Sequence, residues 1–162
     1  MVAIVGVGAV FGLQRGLWEK AFQTGDFCAV ASATQGHERA VALLLAGRTA
    51  DVMKLLEGRD DAVSLRLYGY AACSEGRWAR ALEAANRLLK ACPGDLGAMA
   101  IKAEALSALG DRRGAEHLLR KLPAWMSAYV RLRVALHFND RAAAASAARE
   151  LRSVTGQTGW VK

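Results

Sequence analysis

The chain has 162 residues, 53% of them apolar and only two of them proline, which excludes a disordered chain and suits one domain with a real core. The formal charge of +7 is lopsided: residues 1–61 hold six basic and seven acidic side chains, so the positive excess lies beyond them and is mostly arginine. Three cysteines without a CxxC pair and three scattered histidines without HExxH spacing exclude a disulfide framework and a metal site; the cysteines read as small buried residues in a reducing compartment.

The first sixteen residues form an apolar, glycine-rich lead-in, opening MVAIVGVGAVFG. The run resembles the first strand and turn of a dinucleotide-binding dehydrogenase, but its glycines fall at Gly6, Gly8 and Gly12, one residue late for the third. No β–α alternation follows to build the parallel sheet that such a site requires. As a membrane anchor the run is too short to span a bilayer of about 30 Å as a helix, and it lacks a basic start. It is therefore read as a strand or helix packed on the first repeat, and no cofactor is expected.

From Leu17 the apolar spacing becomes helical. Gly25-Asp26 divides Leu17–Thr24 from Phe27–Ala33, and Gly47-Arg48 divides a helix near Gly36–Ala46 from a short one near Thr49–Leu56. Asp60-Asp61 stand in a turn, where a cap or solvent role explains adjacent acids. The clearest unit then runs AVSLRLYGYAACSEGRWARALEAANRLLKACPGD, residues 62–95. Leu65, Leu67, Tyr68 and Ala72 keep a helical period that Glu75-Gly76-Arg77 interrupts. Trp78, Ala81, Leu82, Ala85 and Leu88 restart it, and Cys92-Pro93-Gly94 stops it.

This unit resembles a tetratricopeptide (TPR) repeat. Gly69 stands at the small crossing site of the first helix, Gly76 and Trp78 at the turn, Ala81 in the second helix and Pro93 at the end of roughly 34 residues. Leu65 stands where the family usually has tryptophan. A second copy covers 96–123, with Ala103 at the small site, Gly110-Asp111 at the turn, Ala115 in the second helix and Pro123 at the close. Weaker copies flank these two; downstream, Trp125 to about Ser153 divides at Asn139-Asp140, with Ala144 at the crossing. The resemblance implies an all-α fold: an α-solenoid of about five antiparallel TPR-like helix pairs filling residues 17–154, with Thr155–Lys162 a frayed tail in which Trp160 can cap the last pair.

The TPR register implies a concave groove lined by first helices. Arg66, Tyr70 and Cys73 line it from the best repeat, Ala100, Glu104 and Ser107 from the next, and Tyr129, Arg133 and His137 from the third. His37, Val41 and Leu44 extend it upstream. Tyrosines and aliphatics offer apolar contact there, and Arg66 and Arg133 can fork to carboxylates, or pair with neighbouring acids. The Lys-Asn pattern with which some TPR proteins clamp a C-terminal carboxylate is missing. No serine or cysteine can be tied to a histidine and an acid, so no enzyme is expected. The expected function is protein binding: a cytoplasmic bacterial adaptor or chaperone holding a peptide or amphipathic helix, similar in size to the TPR chaperones of type III secretion. The second reading is a helical repeat that binds nucleic acid through the basic C-terminal two-thirds.

Overall fold

In this computed structural model residues 15–156 are described, and among them every regular element is a helix. The helices are α1 (Arg15–Thr24), α2 (Phe27–Ala33), α3 (Gly36–Leu45), α4 (Thr49–Leu56), α5 (Ala62–Ser74), α6 (Trp78–Ala91), α7 (Leu96–Ala108), α8 (Arg112–Leu119), α9 (Ala124–His137) and α10 (Arg141–Gly156). The dehydrogenase-like run and the Trp160 cap lie outside the described residues. The last helix runs through Thr155 and Gly156, two residues past the expected end of the repeat domain.

Five of the breaks between helices share one chemistry. The turn residues Gly25, Gly47, Gly76 and Gly110 all have positive φ, the left-handed conformation that ends a helix without a Cβ penalty. At the fifth break Asn139 takes this role with φ 54°, asparagine being the side chain that best tolerates it. Five helices start on an aspartate cap: Asp26, Asp61, Asp95, Asp111 and Asp140 each accept a hydrogen bond from the amide three residues on, at 2.7–3.1 Å, whereas α4 and α6 start on Arg48 and Arg77 without a side-chain cap.

Alanine dominates the buried residues, so helices can approach closely. Gly69 is the tightest case: a Cβ built there would lie 3.0 Å from Cδ1 and 3.1 Å from Cγ2 of Ile101, itself 0% exposed. That contact presses α5 onto α7. The odd helices α3, α5, α7 and α9 touch one another in succession, while α4 packs on α3 and α5, α6 on α5 and α7, α8 on α7, and α10 on α9. Four apolar clusters fill these junctions, the largest joining α1 to α5 around Trp18, Val30, Leu43, Val52 and Leu56.

Only one thiol follows the expectation of buried cysteines. Cys73 is buried against α7, whereas Cys28 and Cys92 are exposed. Cys28 stands on a helix whose buried side is Val30 and Ala31, and Cys92 caps α6 where the chain leaves the core.

Candidate functional site

The nine groove positions fall on α5, α7 and α9, the three odd helices in mutual sequence. Their polar groups are largely engaged with one another. Arg66 projects from α5 onto Asp95, the residue that caps α7; its Nε donates to Oδ1 at 3.4 Å while Nη2 pairs with Oδ2. Gly97 makes room for this, since a Cβ there would come within 3.0 Å of Arg66 Cδ. One junction upstream the pattern repeats: His37 on α3 stands 3.0 Å from Asp61, the cap of α5, and 2.9 Å from the hydroxyl of the fully buried Ser64. A side chain early in one odd helix thus holds the capping aspartate of the next.

That device ends at α9, where the N-cap is Pro123 and the corresponding α7 residue is Ala100, without a polar side chain. A different link takes over. Arg133 Nε donates to Glu104 Oε1 at 2.9 Å, with side chains 23% and 4% exposed, and its Nη2 donates to Ser74 Oγ at 3.1 Å. One guanidinium therefore ties α9 to both α7 and α5. It also lies 5.9 Å from the centroid of the Tyr129 ring, within cation–π range. Four residues on, the His137 ring meets Trp78 edge-on at 4.5 Å and closes over Gly76, where a Cβ would stand 3.2 Å away. Arg133 ties α9 to α5 and α7, and His137 ties it to the turn between α5 and α6.

The electrostatics follow the burial. Burial pushes the Glu104 carboxyl above its ordinary range, and the charge of Arg133 offsets this only in part. Burial would lower Arg133, but the adjacent Glu104 outweighs it and keeps the guanidinium charged. Burial pushes up the Cys73 thiol, so it is not a nucleophile at neutral pH. Tyr70 is raised by burial and by Tyr129, against the pull of Arg66 and Arg133.

No family model, curated protein or solved structure matches this chain.

Of the nine positions, Cys73, Ala100 and Glu104 are buried, Arg66 and Arg133 are ion-paired, and His137 is packed on Trp78. Tyr129 is 42% exposed, and Tyr70 and Ser107 are half-buried. The large apolar residues that face solvent lie elsewhere on the odd helices: Leu45 in the last residue of α3, Leu109 just after α7, and Leu136 and Phe138 at the end of α9. Sequence reasoning passed over these four, although a signal exists: each stands within three residues of a left-handed turn residue, where a helix has no neighbour left to cover it.

A cleft of about 290 Å³ opens beside the α4–α5 turn, floored by Leu56 and Leu65. Arg80 there binds Glu57 and the Tyr68 hydroxyl, and Arg87 pairs with Asp60, so its cations are mostly neutralised. Among the described residues no group of His, Cys, Asp and Glu could hold a metal ion, and no helix is long and apolar enough to cross a membrane.

The Arg66–Asp95 link has a measurable signature. Burial would raise the Asp95 carboxyl, but the Arg66 hydrogen bond, the Ala98 amide and the charge of Arg66 hold it below its ordinary value. A depressed folded-state value stabilises the fold above the unfolded pKa and is lost as pH falls through the folded one. Asp95→Asn keeps a capping oxygen and removes only the charge. It is expected to cost about 1 kcal/mol at pH 7 in urea unfolding, and the gap from the parent should close below about pH 4.

Proposed function

We propose that this chain is a TPR-like helical-repeat module, five antiparallel helix pairs stacked as a solenoid, that holds an apolar segment of a partner protein against its odd helices. The observation that carries this reading is the distribution of exposed apolar side chains. Among the described residues, Phe22, Leu45, Val63, Leu96, Leu109, Tyr129, Leu136 and Phe138 are the large ones left exposed. All stand on odd helices or directly after them, and none on α2, α4, α6, α8 or α10. Scattered surface leucines would not sort this way; an interaction face would.

The ion pairs refine how such a face works. Because Arg66 and Arg133 are committed to Asp95 and Glu104, they hold neighbouring first helices in register, and the partner is met by apolar groups. Leu109, Leu136, Phe138 and Tyr129 offer anchors of the kind an amphipathic helix fills at i, i+3 and i+4 spacing. An adaptor or chaperone that shields apolar surface, similar to the TPR chaperones of type III secretion, is the corresponding role. Burial of a few such anchors suits reversible binding.

The test is a titration of isotope-labelled protein with amphipathic helical peptides selected from a displayed library. Amide shifts are expected along α7 and α9 and at the Leu45, Leu109 and Leu136–Phe138 ends. Leu136→Glu with Phe138→Glu should weaken the selected peptide at least about tenfold, the loss of two buried side chains at a contact, with the melting temperature unchanged. Shifts gathered on α6, α8 and α10, or undiminished binding by the double variant, would overturn the reading.

A further inference from the structure

The helices α8 and α10 carry the complementary anomaly: they are basic, and their arginines are unpaired. Arg131 of α9 draws in the acids of α8 and α10, lying 3.2 Å from Glu116 and 3.5 Å from Glu150. One guanidinium thus pairs with the single acid of each helix, and both carboxylates stay about half exposed, at 52% and 44%. Left unpaired are Arg112, Arg113, Arg120 and Lys121 on and just after α8, all exposed. Arg141, Arg149 and Arg152 stand likewise on α10. None of these seven side chains has an ion-pair or hydrogen-bond partner among the described residues.

Three of these arginines oppose the helices that carry them. Arg112 and Arg113 occupy the first turn of α8 and Arg141 that of α10, and neither first turn contains an acid. The N-terminal end of a helix dipole is positive, so stability alone would place Asp or Glu there. These positions are not explained by the fold.

We propose that the outer face of α8 and α10 binds the phosphate backbone of a nucleic-acid duplex without reading its sequence. Charge complementarity sets the class of partner, and arginine forks onto phosphate oxygens. The absence of large exposed apolar residues from these helices disfavours a membrane surface, which an interfacial helix enters with its apolar face. Apart from the His117 imidazole these helices expose no aromatic ring, which disfavours single strands, since those bind by stacking. Seven unpaired cations, six of them arginine, suit the repeated phosphates of a duplex. Arg141 shares a small cleft with Leu136, so this face and the apolar one meet at the α9–α10 turn.

Fluorescence anisotropy with a labelled 24-base-pair DNA duplex tests this. Binding is expected at 50 mM salt, weakening about 10²-fold by 200 mM if roughly four phosphates are contacted. Arg112→Glu with Arg113→Glu and Arg141→Glu should lower the affinity at 50 mM by at least about thirtyfold, while the melting temperature holds or rises because the first turns now suit the dipole. Arg149→Gln with Arg152→Gln, away from the first turns, should lower it several-fold. No duplex binding at 50 mM salt would overturn the proposal. So would undiminished binding by both variants, tighter binding of the single strand, or equal binding of polyglutamate or phosphatidylserine vesicles. Retained peptide binding by the Arg149→Gln with Arg152→Gln variant separates this face from the apolar one.

Discussion

Replacing Arg133 with methionine is expected to cost about 3 kcal/mol at pH 7, a large share of the stability of a domain this size. The variant keeps the bulk of the stem but strands Glu104, whose side chain is only 4% exposed. A buried carboxylate without its partner either bears the desolvation penalty or takes up a proton. Burial already pushes Glu104 above its ordinary range with Arg133 present, and removing the guanidinium pushes it further. For an acid whose folded-state value is raised, the penalty acts at pH values above the unfolded one and fades as pH falls towards it. The deficit should therefore shrink between pH 7 and pH 5, as urea unfolding at the two values would show.

The reverse change is milder. Glu104→Met leaves Arg133, which is 23% exposed and can turn to water, so about 1–2 kcal/mol is expected. The double variant should recover most of the Arg133→Met loss, since two apolar side chains replace a pair that was costly to desolvate. A double variant as unstable as the two singles combined would mean that the pair is not coupled. Loss of Arg133 also releases Ser74, so the contact of α9 with α5 should loosen, read as faster amide exchange at the ends of α5 and α9.

The second large effect is expected at Gly69. Gly69→Leu places a branched side chain where the first added carbon already meets Ile101 at 3.0 Å, and Ile101 is sealed in the core. Parting α5 from α7 should cost about 3 kcal/mol, at the upper end of overpacking effects. Gly69→Ala sets a helix-propensity gain of about 1 kcal/mol against the same contact, so little net gain is expected. Ile101→Ala alone should cost about 3 kcal/mol through the cavity it leaves. In that background Gly69→Ala has room and should become stabilising by about 1 kcal/mol. If alanine were equally neutral in both backgrounds, the α5–α7 contact would not be the reason for glycine at this position.

These predictions also mark where sequence reasoning reached and where it stopped. The helices and their breaks are local events. The breaks at residues 25, 47, 76, 110 and 139 could be placed from glycine and asparagine alone, because a left-handed residue ends a helix wherever the rest of the chain lies. Gly69 could be marked as a crossing site for a similar reason: a glycine inside a helical period needs a packing cause. Groove positions were assignable to odd helices from the register, yet their condition was not. Arg66 and Asp95 are 29 residues apart, and Arg133 and Ser74 are 59 apart. No periodicity relates such pairs, and an arginine paired with an aspartate reads in sequence the same as one held out for a ligand.

The composition and local pattern of this chain determined that it is helical, where each helix ends, and that its positive charge gathers late. Tertiary structure decided what those charges do. It consumed Arg66, Arg133 and Arg131 in links between helices, left the arginines of α8 and the start of α10 unpartnered, and exposed Leu109, Leu136 and Phe138 at the helix ends. The physical reason is range: turn and period energies act over about four residues, whereas burial and ion pairing depend on which distant segments the packed core brings together.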